Sequence, residues 1–209
     1  MLKNLFILAF AAITLCSCFT PSRTQPSVKE YTMQNMGRVY VTSRTIHIPT
    51  PLPLKFEFGG AWDYHIDAFS LEKEFFAFTV IKNNTRIGIR SARKDYFSQD
   101  TTFTSPFDVS DEEFVTYYLN WDMEYWKNLV AIATEQHNHE INYTAGKAVY
   151  NAQKKYGTIS RALPDSKTCT LASVQAGKYI YMITGTTSID DSDDICEVIE
   201  EIWNDRAEF

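Results

Sequence analysis

The residues that decide the fold are TCTLASVQAGKYIYMITGTT (168–187), then DDSDD (190–194) and ICEVIEEIWN (195–204). The first stretch contains two runs rich in β-branched and aromatic residues, 168–174 and 179–185. They flank the turn-forming Gln175-Ala176-Gly177-Lys178, and this arrangement predicts a hairpin. The last stretch repeats apolar residues at intervals of three and four, which predicts a helix from Asp193 to about Asn204. Acidic residues at its start suit the positive end of a helix dipole.

A longer helix is predicted to begin at Ser110, because Ser110 and Glu113 have the spacing of a capping box. Two apolar rows follow at helical spacing: Phe114, Tyr118, Trp121, Tyr125, Leu129 and Ile132 in one, and Val115, Leu119, Trp126 and Val130 in the other. A helix apolar over most of its circumference is typically buried on two sides. The alternative is that one aromatic row contacts a partner.

Strand signals precede this helix. The β-rich run 37–48 predicts one strand, and shorter strands are predicted over 54–58, 62–66, 74–81 and 86–90. Asn83-Asn84 predicts a tight hairpin turn between the last two, because Asn tolerates a positive φ. A further helix is predicted from the spacing of Ala145, Ala148, Val149, Ala152 and Tyr156, with Gly157 as its left-handed cap.

These elements together predict an α+β fold, with a mainly antiparallel sheet covered by helices. The chain ends with a strand pair of the GKYIYMITGTT type, an acidic turn and a helix. This pattern, about 40 residues long, is similar to the Mog1/PsbP-like fold, and the resemblance implies no functional residues.

Composition limits the classes of function. The chain has 209 residues, of which 44% are hydrophobic, which excludes a disordered chain. A net charge of −6 without a Lys/Arg cluster argues against nucleic acid as the main partner. No internal repeat or second linker is present, so residues 31–209 are expected to form a single domain.

The N-terminus, MLKNLFILAFAAITLCSC (1–18), has the pattern of a secretory signal peptide. Lys3 precedes an apolar run from Leu5 to Leu15, which is too short to span a bilayer core of about 30 Å. Leu15-Cys16-Ser17-Cys18 resembles the lipobox of bacterial lipoproteins. In that family the signal peptide, here 1–17, is cleaved, and the Cys, here Cys18, receives diacylglycerol and usually an amide-linked acyl chain.

The resemblance implies attachment to a bacterial cell membrane through lipid on Cys18, with the protein facing the periplasm or the exterior. Phe19, where an Asp would signal inner-membrane retention, implies the outer membrane if the host is Gram-negative. Residues 18–30, with Pro21 and Pro26, are predicted to be the lipidated N-terminus and a flexible tether.

The cysteines predict one disulfide. Removal of Cys16 and lipidation of Cys18 leave Cys169 and Cys196, which we expect to pair in an oxidising compartment. The alternative is two buried thiols that pack as small hydrophobic groups.

Three clusters of acidic or histidine residues have the side chains that could bind a metal ion. Asp63, His65 and Asp67 alternate on a predicted strand and so share one face, where they could bind a divalent metal. The solvated face of a half-buried strand gives the same pattern, and we favour it. His137 and His139 are expected to be surface residues at a helix end. The run 190–194 lacks the glycine that an EF-hand needs at its sixth position, where Ile195 stands, so a helix N-terminus explains it better.

The mature chain contains none of the common catalytic motifs G-x-S-x-G, G-x-x-x-x-G-K, H-E-x-x-H or C-x-x-C. The sequence therefore predicts a non-enzymatic envelope lipoprotein without a cofactor, which binds an envelope protein or another envelope component. The alternatives are a small-molecule or divalent-metal-binding lipoprotein that uses Asp63, His65 and Asp67 and, in third place, an envelope hydrolase.

Overall fold

The computed structural model describes residues 29–33, 37–41, 45–48, 54–57, 63–70, 75–99 and 108–208. Within these residues the strands form two sheets. The smaller has the order β1-β2-β3-β4-β13, with β1 Lys29–Met33, β2 Gly37–Val41, β3 Thr45–Ile48, β4 Leu54–Glu57 and β13 Ala207–Glu208. The larger has the order β5-β6-β7-β12-β11-β10-β8, with β9 beside β10. Its strands are β5 Asp63–Ser70, β6 Phe75–Lys82, β7 Thr85–Arg93, β8 Thr144–Ala145, β9 Val149–Asn151, β10 Tyr156–Ala162, β11 Ser166–Gln175 and β12 Tyr179–Ser188.

Two α-helices pack on opposite faces of the larger sheet: α1 (Asp111–His137) and α2 (Ile195–Asn204). Successive residues of a strand point to opposite faces, so β12 contributes side chains to both cores. Tyr181 and Ile183 lie in the core under α2, and Ile180 and Met182 lie in the core under α1. Every strand pair is antiparallel, so the predicted α+β class is confirmed.

The capping box of α1 forms as predicted. The Ser110 side chain accepts from the Glu113 backbone N–H at 3.2 Å, and the Glu113 carboxylate accepts from the Ser110 N–H at 3.1 Å. The expectation of burial on two sides is wrong beyond the first turns. Phe114, Val115, Tyr118 and Leu119 are buried, but from Trp121 onward the apolar side chains are half-buried or exposed. The second half of this long helix therefore presents apolar surface.

The helix predicted over 145–156 is wrong, because this segment forms β8, β9 and the turn into β10. Alanine and β-branched residues at mixed intervals fit a helix and short edge strands equally well, and pairing with β10 decides between them. Gly157 is not a helix cap. A methyl group there would lie 2.8 Å from Leu119 Cδ1 and 2.9 Å from Val115 Cγ1. Glycine at this position lets α1 approach the sheet closely.

The strand predictions before α1 are largely confirmed. The turn between β6 and β7 contains Asn83 with φ of 53°. The single strand predicted over 37–48 is wrong, because β2 and β3 pair antiparallel, with Tyr40 opposite His47. The strand β1 includes residues 29 and 30, which are the last two residues of the expected tether.

The predicted hairpin and final helix are confirmed as β11, β12 and α2. Asp194 caps α2, and its side chain accepts from the Cys196 backbone N–H at 2.9 Å. Trp203 is buried, and its ring centroid lies 6.2 Å from that of Phe56 on β4 and 6.1 Å from that of Tyr181 on β12. The helix thus packs between the larger sheet and the smaller one.

Candidate functional site

Polar side chains replace apolar ones at one end of the sheet face that α1 covers. Two rows of paired residues cross the strands there. The first runs Thr79–Gly88–Thr184–Thr170, and the second runs Arg86–Thr186–Thr168–Arg161. We call these residues the polar floor. Their hydroxyls contact one another, with Thr170 and Thr184 oxygens 3.3 Å apart and Thr168 and Thr186 oxygens 3.1 Å apart.

Arg161 organises the part of the polar floor that lies beneath α1. Its guanidinium donates to the Asp122 carboxylate of α1 and to the Thr170 hydroxyl. It also lies 5.2 Å from the ring centroid of Trp126, a cation–π contact. The side chain is only 3% exposed, and that of Asp122 is 15% exposed. An ion pair this deeply buried needs such additional partners to offset the loss of water.

Two tyrosines complete this cluster. Burial raises the pKa of Tyr118, and the Asp122 charge raises it further, so the phenol stays protonated. Burial also raises the pKa of Tyr143. The Tyr143 hydroxyl and the Arg161 Nε are buried and have no hydrogen-bond partner among the described residues, which leaves polar capacity beside the ion pair.

A second cluster lies on the other side of the sheet. The Tyr156 hydroxyl donates to the Glu200 carboxylate at 2.5 Å, and Lys154 Nζ donates to the Tyr156 oxygen at 3.1 Å. Burial, followed by the bond to Glu200, raises the pKa of Tyr156, and the bond to Tyr156 raises the pKa of Lys154. The high tyrosine pKa keeps the phenol protonated, which makes this cluster a bridge between β10 and α2 and a poor source of a base.

The predicted metal residues lie on β5. The register places His65 opposite Thr79 and Asp63 opposite Ile81, at the level of the polar floor, but the side chains of β5 are outside the described part. A register shift between Ile66 and Ala68 leaves Asp67 as the extra residue of a bulge. The strict alternation that put all three on one face stops there, and the metal site stays a prediction.

The other two clusters follow the favoured interpretations. His137 ends α1 and His139 follows the left-handed Asn138, and both histidines are exposed. In the acidic run, Asp191 accepts from the Asp193 N–H at 3.0 Å and from the Thr187 hydroxyl at 2.9 Å, which lowers its pKa. Among the residues with described side chains, no three His, Cys, Asp or Glu residues are grouped so that they could bind a metal.

Cys169 and Cys196 form a disulfide that joins β11 to α2, with Cα atoms 5.2 Å apart. Cys18, the signal peptide and nearly all of the tether lie outside the described residues. In the part of the chain that is described, no helix has both the length and the apolar character needed to cross a membrane.

Sequence reasoning missed the arginines of the polar floor. In the sequence, Arg86 and Arg90 are only the two ends of a predicted short strand, RIGIR, and Arg161 belongs to no recognisable motif. One signal was available: residues two positions either side of Gly88 must share its face. No sequence signal indicates the Arg161–Asp122 ion pair, because the two residues are 39 positions apart in the chain.

No protein-family model matches the chain, and no curated protein matches it either. The resemblances to lipoproteins and to the Mog1/PsbP-like fold therefore stay predictions. The class that the observations define is an α+β domain with a disulfide and a polar patch of arginines and threonines.

Proposed function

We propose that this protein is an envelope lipoprotein, held at a bacterial membrane by lipid on Cys18, and that its domain binds an envelope protein or another envelope component without catalysis. The observation that carries the proposal is the order of features at the N-terminus. Lys3, an apolar run, Leu15, Ser17 and Cys18 follow one another, and a polar segment with two prolines comes next.

The disulfide supports export. Disulfides persist in oxidising compartments and are rare in the bacterial cytosol. Once Cys16 is removed and Cys18 is lipidated, Cys169 and Cys196 are the two cysteines that remain, and they are the bonded pair. An exported lipoprotein would thus have no free thiol left.

Lipid on Cys18 would anchor the domain firmly and hold it near the membrane. Each buried acyl methylene contributes about 0.8 kcal/mol, so two or three chains anchor stably where one does so only marginally. The segment from Cys18 to the start of β1 at Lys29 reaches roughly 40 Å at most when fully extended. The tether would therefore keep the start of the domain within about that distance of the membrane.

Surface features of the domain support a binding role. The half-buried aromatic residues of α1 include Trp121 and Tyr125, whose rings stack with centroids 6.0 Å apart, and Ile132 beyond them is 50% exposed. The polar floor lies against the same helix. Aromatic side chains beside arginine are typical of the residues that contribute most to binding.

The anchor is tested by growing cells with labelled palmitate and isolating the protein. Replacement of Cys18 by Ser removes the thiol that accepts diacylglycerol, so we expect loss of the label and a larger, unprocessed chain on a gel. Cys16→Ser is the matched control and should keep the label, because serine is also small. Labelled palmitate on the Cys18→Ser protein would contradict the proposal.

The binding role is tested by crosslinking in cells. A photoreactive residue at Ile132 on α1 should capture one recurrent envelope partner, identified by mass spectrometry. The control position is Ile189, which is 40% exposed beyond β12. A partner captured equally at both positions, or none at Ile132, would contradict a role for this face of the domain.

A further inference from the structure

The larger sheet ends at an edge strand that is built from two short pieces. β8 pairs with the last residues of β10, and β9 pairs with its first residues. Between the two pairings the Gly146 N–H donates to the Ser160 carbonyl at 2.8 Å. Val149 then lies opposite Thr158, so residues 147 and 148 face a single residue of β10 and form a bulge. Residues 144–151, which we call the edge strand, therefore accompany β10 along its whole length.

The backbone of the edge strand is bonded to β10 on one side only. In an antiparallel pair, the N–H and C=O groups of successive residues point alternately toward the neighbouring strand and away from it. Because Gly146 bonds to Ser160, the N–H and C=O of Ala145 point away from β10. The same alternation along β10 turns the N–H and C=O of Tyr150 outward. Within the described residues no strand pairs with this outer side, so these groups can bond to an added strand.

The edge strand is also accessible to a partner. Every residue in it is exposed except Ala148 and Tyr150, which are half-buried against the core under α1. Val149 points to the other face of the sheet and is 61% exposed. An extended segment beside this strand would pair with its backbone and cover Val149 with a side chain of its own.

The chain around the edge strand is basic, although the whole protein carries −6. Residues 141–164 include lysines and an arginine but no acidic residue. Arg161 and Lys154 are already paired with carboxylates of the two helices. Lys147, at the bulge, and Lys155, in the turn after β9, are exposed and form no ion pair with the described residues. These two lysines therefore carry charge that the described chain leaves unpaired.

Acidic residues of α1 oppose this charge in part. Burial raises the pKa of Tyr150, and the charges of Glu112 and Asp111 raise it further, which places both carboxylates near β9. Asp111 is 3.6 Å from the ammonium group of Lys94 and is paired with it. Glu112 thus offsets part of the charge of the two unpaired lysines, and the edge strand keeps a positive balance.

We propose that the edge strand binds an extended, acidic segment of a partner protein, which joins the larger sheet as a further strand. Main-chain hydrogen bonds would hold this segment at Ala145 and Tyr150, and its carboxylates would lie near Lys147. A second copy of this chain fits less well, because pairing of two such edges along their length would bring both copies of Lys147 together. The inference names a surface and a partner chemistry for the binding role, and in that sense it rests on the proposed function.

The test is fluorescence anisotropy of the purified protein, in neutral detergent at low salt, with three short labelled peptides. The first alternates valine or threonine with glutamate, and the second has lysine in place of glutamate. The third is the acidic peptide with alternate amide nitrogens methylated, which keeps its charge but removes its main-chain donors. The acidic peptide should bind about tenfold more tightly than either of the others, because each of them loses hydrogen bonds or favourable charge pairs.

Variants of the protein locate the contact. Ala145→Pro removes an N–H that points away from β10, so the fold should persist while the affinity for the acidic peptide falls by about tenfold. Ala145→Val is the matched control, because it keeps that N–H, and it should bind as the original does. Lys147→Gln should weaken binding by about twofold to fivefold, the usual effect of losing an exposed ion pair. Lys127→Gln, at an exposed lysine of α1, should leave the affinity unchanged.

Thermal unfolding verifies that each variant is folded, and the methylated peptide tests the same hydrogen bonds on the unchanged protein if the proline variant is not. Undetectable binding of the acidic peptide, equal binding of either other peptide, or equal losses in the two Ala145 variants would overturn the proposal. A dimer in sedimentation that Ala145→Pro dissociates would also overturn it, because a second copy would then occupy the edge strand. Palmitate labelling and crosslinking from Ile132 are separate measurements, so failure of the proposed function and failure of this inference are distinguishable.

Discussion

Replacement of Gly185 by alanine should destabilise the domain by forcing α2 away from the sheet. The added methyl group would lie 2.6 and 2.7 Å from two atoms of Ile195 and 2.7 Å from Ile199 Cγ2, against about 3.4 Å for ordinary contact. Ile195 Cγ1 and Ile199 Cγ2 are bonded directly to a β-branched Cβ, so they cannot move away without leaving the preferred χ1 rotamer. The helix must move instead, and the Cys169–Cys196 disulfide opposes that movement.

The expected loss of stability follows from how closely the added methyl group would approach the two isoleucines. Overpacking of a well-packed core typically costs about 1–3 kcal/mol, and we expect the upper part of that range because the required shift approaches an ångström. Alanine recovers about 0.5–1 kcal/mol by restricting the unfolded chain. The net loss should be about 2 kcal/mol. For a chain of this size that lowers the melting temperature by about 4–8 °C.

The assay is thermal and urea unfolding followed by circular dichroism in phosphate-free buffer. Gly88→Ala is the matched control, because it adds the same methyl group to the neighbouring strand on the opposite face, where no atom of the described residues lies closer than 3.9 Å. It should leave stability unchanged or raise it by up to about 1 kcal/mol. A Gly185→Ala protein as stable as the original, or equal losses in both variants, would refute the close approach of α2.

Three further predictions concern stability. Arg161→Leu should lower the free energy of unfolding in urea by about 3–5 kcal/mol, because it leaves the partly buried Asp122 carboxylate without its ion-pair partner. The double variant Arg161→Leu, Asp122→Leu should recover part of that loss, and a double variant less stable than the single one would contradict this. Ser110→Ala should cost about 1 kcal/mol through loss of the helix cap, and an unchanged urea midpoint would argue against it. Alkylation of the denatured, unreduced protein should label neither Cys169 nor Cys196, and two labelled cysteines would contradict the disulfide. Reduction should lower the free energy of unfolding by about 3–4 kcal/mol, because it releases a loop of about 28 residues.

The elements that the sequence predicts correctly carry local signals. Ser110 and Glu113 mark the start of α1, Asn83 marks a turn, and Asp194 begins a helix whose apolar residues recur at regular intervals. Each signal acts within a few residues of the chain, so no knowledge of the packing is needed. The fold class follows from the order of these elements.

The incorrect predictions concern contacts between residues that are distant in sequence. The segment 145–156 has helical spacing, but hydrogen bonds to β10 draw it into the sheet as short strands. The candidate site was missed for the same reason, because Thr184 and Thr186 lie beside Gly88 and Arg86 only when β7 pairs with β12. The stretch RIGIR contains both arginines, yet nothing in it indicates which residues of other strands lie beside them.

The pairing of β7 with β12 joins segments that are far apart in the chain. The strands β5 to β7 form from an early part of the chain, whereas β12 is among the last segments that a ribosome would deliver. Until then β7 is an open edge of an unfinished sheet, and such edges pair readily with other chains. Arg86, Arg90 and Arg93 place charge along that edge, and charge discourages this pairing. We therefore expect Arg86, Arg90 and Arg93 to limit aggregation of incompletely folded chains in which β12 has not yet paired.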